Sequence, residues 1–344
     1  MHSVLSYFTP YFTPQGDAPL GNCSAGQIAR HLYGAMCELG PVQYLDGAAQ
    51  PRGVTADLFA GHFWAFARMA RANRFAQKAV LYAIADPDYR AAALQPFIDA
   101  TGLREPESDM PPPHFEHEET MERADVVLLV GNSFTRATFA PRWQPKIRLL
   151  NYSIDATLFR PAANPRREFC YAATHCGLRK GFHDVIETWS AIDPRVTRLH
   201  AVGRIDPAWR ARLDSRNNGS IVHHGYLDSR STAYRDLLRS CRFAYMPTVV
   251  EGQMGTLLEA IFSGCVPITT RASGVDDEVL EHCVIVEPGD VDAHREAIAN
   301  LLAWSDETWR TRRDALLAAA HRRQSWDVFR ATLFDAIAET SCAR

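Results

Sequence analysis

The sequence predicts an α/β protein of two domains. At 344 residues, the chain is longer than the size at which a single hydrophobic core stops growing. Its contents of 47% hydrophobic and 22% charged residues are ordinary for a globular protein. Predicted strands alternate with predicted helices through both halves, as they do in proteins with parallel sheets. The stretch 162–167 is rich in Pro, Asn and Arg, which indicates a linker between the halves.

The first half is predicted to end at residue 161. Short apolar segments indicate strands, and longer segments with apolar spacings of three and four indicate helices. The predicted strands are 3–8, 42–45, 80–85, 124–130 and 147–152, and the predicted helices are 25–39 and 116–123. Because the segment 124–130 is nearly all apolar, we expect it to be buried on both faces of its sheet.

The second half continues the alternation and ends in an amphipathic helix. We predict strands at 168–173, 199–203, 221–227, 243–247 and 266–270, and helices at 182–191, 233–241 and 325–338. A strand, a helix and a second parallel strand form a βαβ unit. The loop after the first strand of such a unit lies at the sheet edge where ligands bind.

Two carboxylates, Glu251 and Glu259, bracket a glycine-containing turn after the strand at 243–247. The next helix would begin near Gly255 or Thr256, so its first N–H groups would form an anion site. Carboxylates repel phosphate, so the glutamates suit hydroxyl groups while the amides between them suit a phosphate. A ligand with hydroxyls on both sides of a phosphate is a nucleotide sugar. The alternative is an ordinary βαβ turn with two solvated glutamates.

A second candidate site lies at 174–181, after the strand at 168–173. Arg179 and Lys180 come just before a predicted helix. Cations at that position oppose the helix dipole, so their presence needs another reason. Binding of a diphosphate is one such reason, and a solvated helix start is the alternative.

Several motifs in order over roughly 168–335 resemble the retaining glycosyltransferases of the GT-B fold, in particular family 4, glycosyl transferases group 1. Their motif, approximately E-G-F-G-x-P-x-L-E-A followed by Gly and Val-Pro-Val-Ile, is matched by Glu251, Gly252, Leu258, Glu259, Ala260, Gly264, Val266, Pro267 and Ile268. This sequence departs from the motif at Gln253, Met254 and Thr256. The segments 274–278 and 284–290 resemble later motifs of the family.

The resemblance implies two Rossmann-like domains that face a cleft. It places an acceptor-side domain at 1–161, the linker at 162–167, a nucleotide-sugar-binding domain at 168–324, and at 325–344 a helix that crosses back to the first domain. The implied activity is metal-independent transfer of a sugar, expected to be a hexose, with retention of configuration. The donor would be a nucleotide-diphosphate sugar and the acceptor a glycan, a lipid-linked molecule or a small molecule. No cofactor is implied, since the donor is a co-substrate.

The resemblance also implies roles for individual residues. Glu251, Lys180 and His62 would be catalytic, with Glu251 at the hydroxyls of the donor sugar and Glu259 at the ribose. The implied donor site comprises Arg179, Lys180, His175, Gly225, Gly252, Gln253, Met254, Gly255, Thr256 and Glu259. A glycine-containing loop with Gly21 and Asn22 would contact the phosphate and the acceptor, or it could simply lead into a helix capped by Ser24.

Two further positions depart from the family. His175 stands where the family has an arginine, and Arg179 could supply the missing charge. Ala85 stands where a second family histidine faces the donor sugar, with Asp86 as a candidate substitute. Ala85 and Met254 leave a second hypothesis, a catalytically impaired nucleotide-sugar-binding protein or partner subunit. An epimerase or phosphorylase of the same fold is a third, and turnover with a sugar donor distinguishes the hypotheses.

A run of cations, Arg68, Arg71, Arg74 and Lys78, has spacings of three, three and four residues, which predicts one helical face. Such a face could bind anionic lipid or an anionic acceptor, so peripheral membrane contact is one hypothesis. An ordinary solvated helix face is the other.

Composition and short motifs argue against several other classes of protein. The net charge of −3 argues against a nucleic-acid partner held by phosphate contacts. No apolar run approaches the roughly 20 residues that span a bilayer, and the first residues lack the basic start of a signal peptide. The eight cysteines include no C-x-x-C pair, so we expect reduced thiols, a cytoplasmic protein and no metal site. A dehydrogenase is disfavoured because no G-x-G-x-x-G follows the first strand.

Overall fold

The structure is a computed structural model that describes residues 1–8, 24–49, 51–105 and 115–342. The chain divides into two compact units. The first unit comprises Met1–Pro87, Pro111–Ser153 and Ser325–Arg344, and the second comprises Asp88–Met110 and Ile154–Gln324. The expected domain limits at 161 and 168 stay predictions.

Twelve strands are present in the described residues. They are β1 Ser3–Tyr7, β2 Val42–Asp46, β3 Thr55–His62, β4 Arg74–Tyr82, β5 Val126–Leu129, β6 Ile147–Leu149, β7 Arg166–His175, β8 Leu199–Arg204, β9 Ile221–His223, β10 Cys241–Met246, β11 Val266–Thr269 and β12 Val284–Ile285.

Thirteen α-helices are present in the same residues. They are α1 Ser24–Leu39, α2 Phe63–Ala72, α3 Pro87–Thr101, α4 His117–Arg123, α5 Ser133–Ala137, α6 Phe182–Trp189, α7 Pro207–Arg216, α8 Thr232–Arg239, α9 Gly255–Phe262, α10 Asp277–Leu280, α11 Val291–Ala303, α12 Asp306–Arg323 and α13 Trp326–Cys342.

The first unit contains a six-stranded parallel sheet in the order β2-β1-β3-β4-β5-β6. The order reverses between β1 and β3, so the crevice at their carboxyl ends is the expected ligand position of an open α/β sheet. All five residues of β1 and all four of β5 are buried, as expected for strands covered on both faces. The core beside this sheet is aromatic and includes Phe59, Phe63, Phe66 and Tyr82.

The last helix, α13, belongs to the first unit, as the fold class predicts. The buried Gln77 side chain on β4 donates a hydrogen bond to the carbonyl of Ile337 at 2.8 Å. The ring of Trp326 stacks on His31 of α1 with 3.7 Å between ring centroids. Because these contacts join α13 to both a strand and a helix, the end of the chain is part of the first unit's core.

The second unit contains another six-stranded parallel sheet, in the order β12-β11-β10-β7-β8-β9. Its order reverses between β10 and β7, the two central strands. Phe169 and Tyr171 on β7 and Phe243 and Tyr245 on β10 are fully or almost fully buried. The two sheets confirm the predicted α/β class.

The predicted helical face with Arg68, Arg71, Arg74 and Lys78 is wrong. Helix α2 ends at Ala72, and Arg74 and Lys78 lie on β4. Asn73 ends the helix in an extended conformation, and its side-chain oxygen accepts a hydrogen bond from the N–H of Val54 at 2.9 Å. Beyond it, β4 pairs with β3 from Arg74 onward. The strand therefore begins six residues before the predicted start at residue 80.

Gly181 allows α6 to begin close to the end of β10. Its backbone is left-handed, with φ of 68° and ψ of 24°. A Cβ atom at this position would lie 1.9 Å from the carbonyl oxygen of Pro247, the residue after β10. Gly102 has nearly the same φ, 69°, but no atom lies within 4 Å of its added Cβ. Alanine substitutions at the two glycines therefore allow the cost of a left-handed backbone to be separated from the cost of a steric clash.

We expect Gly181→Ala to lower the free energy of unfolding by about 3 kcal/mol or more, because a backbone carbonyl must move. Gly102→Ala should cost only about 1 kcal/mol, the strain of a left-handed alanine. Denaturant unfolding of both variants measures the difference. Equal losses would mean that the carbonyl of Pro247 does not constrain this turn.

Candidate functional site

The candidate site lies at the carboxyl ends of β7 and β10, where the strand order of the second sheet reverses. The segment 176–181 follows β7 and carries Arg179 and Lys180. The segment 247–254 follows β10 and carries Glu251. Because the two strands are parallel neighbours, both segments emerge at the same edge of the sheet.

Hydrogen bonds hold the two segments together. The carbonyl of Arg179 accepts from the N–H of Val249 at 2.9 Å and from the hydroxyl of Thr248 at 2.7 Å. The hydroxyl of Thr270, which follows β11, donates to the carbonyl of Thr248 at 2.6 Å. These hydrogen bonds fix the three loops relative to one another, so the side chains that the loops carry have defined positions.

Arg179 and Lys180 both bind the carboxylate of Glu251. Nη1 of Arg179 lies 2.6 Å from each Glu251 oxygen, and Nζ of Lys180 lies 2.5 Å from Oε1. The exposed fractions of the side chains are 18% for Arg179, 13% for Lys180 and 8% for Glu251. These are charge-assisted contacts away from bulk water, which are stronger than surface ion pairs. The structure brings together three residues that the sequence nominated separately.

Glu105 completes this cluster, and the sequence analysis did not identify it. Its carboxylate accepts a hydrogen bond from the backbone N–H of Arg179 at 2.7 Å and lies 3.9 Å from Nε of the same residue. Its side chain is only 3% exposed. Glu105 follows α3 and lies 74 residues before its partner, so no local pattern connects the two. With Glu105 and Glu251 opposite Arg179 and Lys180, the charges in the cluster are balanced.

Helix α9 begins at Gly255, as predicted, beside this cluster. The N–H groups of Gly255 and Thr256 have no acceptor within the helix, whereas those of Leu257 and Leu258 donate to the carbonyl of Met254. The hydroxyl oxygen of Thr256 is buried and has no hydrogen-bond partner among the described residues. Met254 precedes the helix with a buried side chain, and its N–H donates to the carbonyl of Ser273 at 2.8 Å. Gly255 and Thr256 therefore offer polar groups to a ligand.

Gln253, which the resemblance placed in the donor site, has a side-chain partner within the second unit. Its amide donates a hydrogen bond at 3.0 Å to the side chain of Gln324, which follows α12, and both side chains are buried. The neighbouring Gly252 lies against Gly274, where an added Cβ would come within 1.4 Å of the Gly252 carbonyl oxygen. The side chain of Gln253 and the carbonyl of Gly252 are thus packed against other parts of the second unit. The remaining backbone of the segment 247–254 is the part that suits a ligand.

Glu259 lies one turn into α9. Burial raises the pKa of its carboxyl group to about 7, while a hydrogen bond from the hydroxyl of Tyr234 and the charge of Lys180 act in the opposite direction. Tyr234, on α8, is itself buried. The carboxyl group is therefore held in one orientation and changes its charge near neutral pH.

Residues after β8 and β9 extend the site along the same edge. The guanidinium of Arg204 lies over the ring of Tyr226 at 3.9 Å, and Tyr226 is 45% exposed. Gly225 has a left-handed φ of 74° with no atom within 4 Å of an added Cβ. His175, partly buried at the end of β7, pairs in register with Arg204. This part of the edge offers an exposed aromatic ring and open space beside the glycine.

His62 is the last residue of β3, at the reversal point of the first sheet. Its Nδ1 accepts a hydrogen bond from the N–H of Trp64 at 3.4 Å and caps α2. The rings of Tyr7, Phe8 and Phe63 surround it. Burial lowers its pKa to about 3, so the imidazole is neutral at physiological pH. Its catalytic role stays a prediction, and Gly21 and Asn22 lie outside the described residues.

A histidine that the sequence analysis overlooked lies beside the end of β4. Nδ1 of His117 is 2.6 Å from the hydroxyl of Tyr82, and Nε2 is 3.2 Å from Oδ2 of Asp86. Ala85, at the place of the second family histidine, is buried. His117 begins α4 and is separated from Ala85 by more than thirty residues, so sequence position alone gave no signal. The structure thus provides an imidazole near this strand end.

The described residues contain neither a cluster of metal ligands nor a helix that spans a membrane. In this part of the chain, no three His, Cys, Asp or Glu side chains are grouped so that they could hold a metal ion. Every helix among the same residues is too short or too polar to cross a bilayer.

The fold is that of the GT-B glycosyltransferases. Sucrose-phosphate synthase from Thermosynechococcus elongatus has a TM-score of 0.69 at 15% identity, with 100% of each chain covered. A UDP-forming α,α-trehalose-phosphate synthase from Burkholderia xenovorans has a TM-score of 0.60 at 15% identity, covering 92% of this chain and 80% of its own. A trehalose-6-phosphate synthase studied for glycosyl transfer with retention has a TM-score of 0.58 at 12% identity, covering 91% and 78%.

Residues 166–303, which lie in the second unit, match the model of the family Glycosyl transferases group 1. This match and the fold confirm the resemblance seen in the sequence, and together they support a glycosyltransferase. A search of curated protein sequences gave no significant match.

We expect Glu105→Ala to lower the free energy of unfolding by about 1–3 kcal/mol, because the buried N–H of Arg179 loses its acceptor. Glu105→Gln keeps an acceptor oxygen and should recover most of this loss. Denaturant unfolding of the two variants and the wild type provides the comparison. If the Gln variant is as unstable as the Ala variant, the charge of Glu105 matters and its hydrogen bond does not.

The raised pKa of Glu259 predicts a pH dependence of stability. The folded protein holds a proton that the unfolded chain, with a pKa near 4.5, releases first. The contribution of Glu259 is therefore fully present below about pH 4.5 and is lost as the pH rises through about 7. Relative to Glu259→Gln, the wild type should lose about 1–3 kcal/mol between these limits.

Denaturant unfolding at a series of pH values measures this difference. Glu307→Gln, at an exposed position of α12, serves as the control and should follow the wild type. Parallel curves for the wild type and Glu259→Gln would show that Glu259 keeps an ordinary pKa.

Proposed function

We propose that this protein is a retaining glycosyltransferase that transfers a sugar from a nucleotide-diphosphate sugar to a hydroxyl acceptor without a metal ion. The observation that carries this proposal is the meeting of Arg179, Lys180 and Glu251 at the reversal point of the second sheet, beside the first turn of α9. Two cations and a helix N-terminus together suit a diphosphate.

The order of groups along the edge suggests the orientation of the donor. Lys180, Arg179 and the first turn of α9, with the hydroxyl of Thr256, would bind the diphosphate. Glu259 would accept hydrogen bonds from the ribose, and the base would lie towards Gly225 and the ring of Tyr226. Glu251, before the amides that face the phosphate, would then lie beside the donor sugar.

The contacts of Glu251 suggest how the donor enters. In the structure, Arg179 and Lys180 are both paired with the Glu251 carboxylate. A diphosphate that binds the two cations would take over these contacts and leave the Glu251 oxygens to accept hydrogen bonds from sugar hydroxyls. Because Glu105 accepts a hydrogen bond from the backbone N–H of Arg179, the loop that carries Arg179 would keep its position during the exchange.

The same groups would stabilise the departing nucleotide. Negative charge grows on the phosphate oxygen as the sugar bond breaks, and one preorganised donor at such a charge contributes roughly 3 kcal/mol. With Lys180 and Arg179 in this role, no divalent ion is required. Retention would follow if the acceptor attacks from the face of the leaving group, and the study of retention on a trehalose-6-phosphate synthase supports this proposal.

For the acceptor we propose a glycan, a lipid-linked molecule or a small molecule bound by the first unit, with His62 as its catalytic residue. A cytoplasmic location accords with the six free thiols of the described residues. Peripheral contact with a membrane stays a prediction, now without the helical face first expected for it. The catalytically impaired alternative is favoured by Ala85 and Met254, and absence of turnover would support it.

We expect Glu251→Gln to reduce turnover with the sugar donor by about tenfold to a hundredfold, since a charged acceptor for sugar hydroxyls is lost. Its affinity for the free nucleoside diphosphate should be unchanged or higher, because glutamine competes less for Arg179 and Lys180. Calorimetry with a panel of nucleoside diphosphates and a transfer assay with the matching sugar donor measure the two effects.

Lys180→Ala is the complementary variant and should weaken nucleoside diphosphate binding by about tenfold or more, as one phosphate cation is lost. Lys78→Ala, which removes a lysine paired with Asp125 in the first unit, is the matched control. If Glu251→Gln weakens diphosphate binding as much as Lys180→Ala does, Glu251 lies at the nucleotide and the donor orientation is reversed. Unchanged binding in Lys180→Ala would remove the donor site from this edge.

A further inference from the structure

A cavity of about 410 Å³ lies in the first unit, between the end of α2 and the segment that leads into β3. Arg52, Arg68 and Arg71 line it, together with Ala49, Pro51, Met69 and Ala72. None of these lining residues, all within the described part of the chain, is acidic. The cavity is therefore basic, with small and apolar residues completing its walls.

Asn73 fixes the shape of the cavity. Its side-chain nitrogen donates to the carbonyl of Pro51 at 3.0 Å and to the carbonyl of Met69 at 2.9 Å. Its side-chain oxygen accepts from the N–H of Val54 at 2.9 Å. One side chain thus joins the segment before β3 to the last turn of α2. The two walls that carry the arginines are held at a set separation.

The three arginines differ in how their charge is compensated. Arg71 pairs with Glu116 at 2.6 Å and with Glu119 at 3.2 Å. Arg52 and Arg68 have no ion pair with any residue that the structure describes. The Nε atom of Arg68 is buried and lacks a hydrogen-bond partner among those residues. The buried Nε atoms of Arg136 and Arg212 also lack a partner among these residues, but Arg68 lines a cavity with two other arginines, where a bound ion or ligand can supply the missing acceptor.

The position of the cavity separates it from the edge where His62 lies. Helix α2 starts directly after His62, at the carboxyl end of β3, and runs back towards the start of β4 at Arg74. Arg68 and Arg71 belong to its last turns, near the amino ends of the strands. Open α/β sheets bind their substrates at the carboxyl ends. A ligand in this cavity would therefore be additional to the substrates of the sugar transfer.

We propose that this cavity binds the phosphate group of a second ligand. A guanidinium presents paired N–H donors that match the oxygens of a phosphate, and Arg68 has such a donor unused and buried. The volume lies within the range of about 300–1,000 Å³ that is usual for small-molecule sites and exceeds what one phosphate ion fills. The phosphate would belong to a soluble phosphate ester or to the headgroup of an anionic lipid.

Binding to the full-length protein tests this inference with two probes. Calorimetry with glycerol 3-phosphate represents the soluble ester. Co-sedimentation with phosphatidylcholine vesicles that do or do not contain phosphatidylglycerol represents the lipid source. All assays include Lys180→Ala, so that binding of phosphate at the proposed donor site is recognised. We expect saturable binding of one probe by the wild type and by Lys180→Ala alike.

Substitutions of the arginines that line the cavity test whether the phosphate binds there. Arg68→Gln should weaken binding by about tenfold, the loss expected for a charge-assisted contact. Arg52→Gln, at an exposed rim position that folding does not need, should weaken it in the same direction. Arg74→Gln is the matched control, because Arg74 is a nearby exposed arginine outside the cavity, and it should stay within about twofold of the wild type.

Several outcomes would overturn the inference. One is that neither probe binds saturably. Another is that Arg68→Gln and Arg52→Gln both bind as the wild type does. Loss of binding in Lys180→Ala would assign the phosphate to the second unit. An equal effect of Arg74→Gln would show a diffuse basic surface without a defined site. Vesicle binding without binding of glycerol 3-phosphate identifies the lipid headgroup as the source, and the reverse identifies the soluble ester.

Discussion

Charge balance around Arg179 and Lys180 is the constraint on which the second unit depends. Two cations side by side and largely out of water would be costly without carboxylates close to them. Glu251 can reach them only because β10 is the neighbour of β7, and this adjacency is also what reverses the strand order. The close approach of Gly181 to Pro247 and the bonds from Val249 and Thr248 to Arg179 follow from the same adjacency.

Local patterns predicted the parts of this site that are local in sequence. The turn between Glu251 and Glu259 and the start of α9 at Gly255 depend on a strand, a glycine and an apolar run within twenty residues, so the sequence contains the information. Glu105 could not be found in that way, because its contact with Arg179 spans 74 positions and depends on which unit α3 joins. The contact between Gln253 and Gln324 was beyond local patterns for a similar reason, since Gln324 follows α12.

In the first unit, sequence reasoning was wrong about a strand boundary and about the position of a histidine. Five of its six strands and its last helix were found from apolar runs, whereas β3 was not predicted. The start of β4 was missed because its first residues, Arg74 to Lys78, are mostly polar or partly exposed. Ala85 suggested a missing imidazole, whereas His117 lies beside the same strand end, held by Tyr82 and Asp86. A histidine assigned by its position in a motif can thus be absent from that position while another part of the chain brings one nearby.

The assignment of α3 has a consequence for how the chain folds. The chain changes units after Pro87, Met110, Ser153 and Gln324, so neither unit is one uninterrupted stretch. Glu105 is the acceptor for Arg179 but is made before β5 and β6 of the other unit. A fragment that begins at residue 154 would therefore carry Arg179, Lys180 and Glu251 without the group that supports their loop. The loop that carries Arg179 therefore depends on residues 88–110, which are synthesised before the rest of the second unit, and the two units should not be separable by simple truncation.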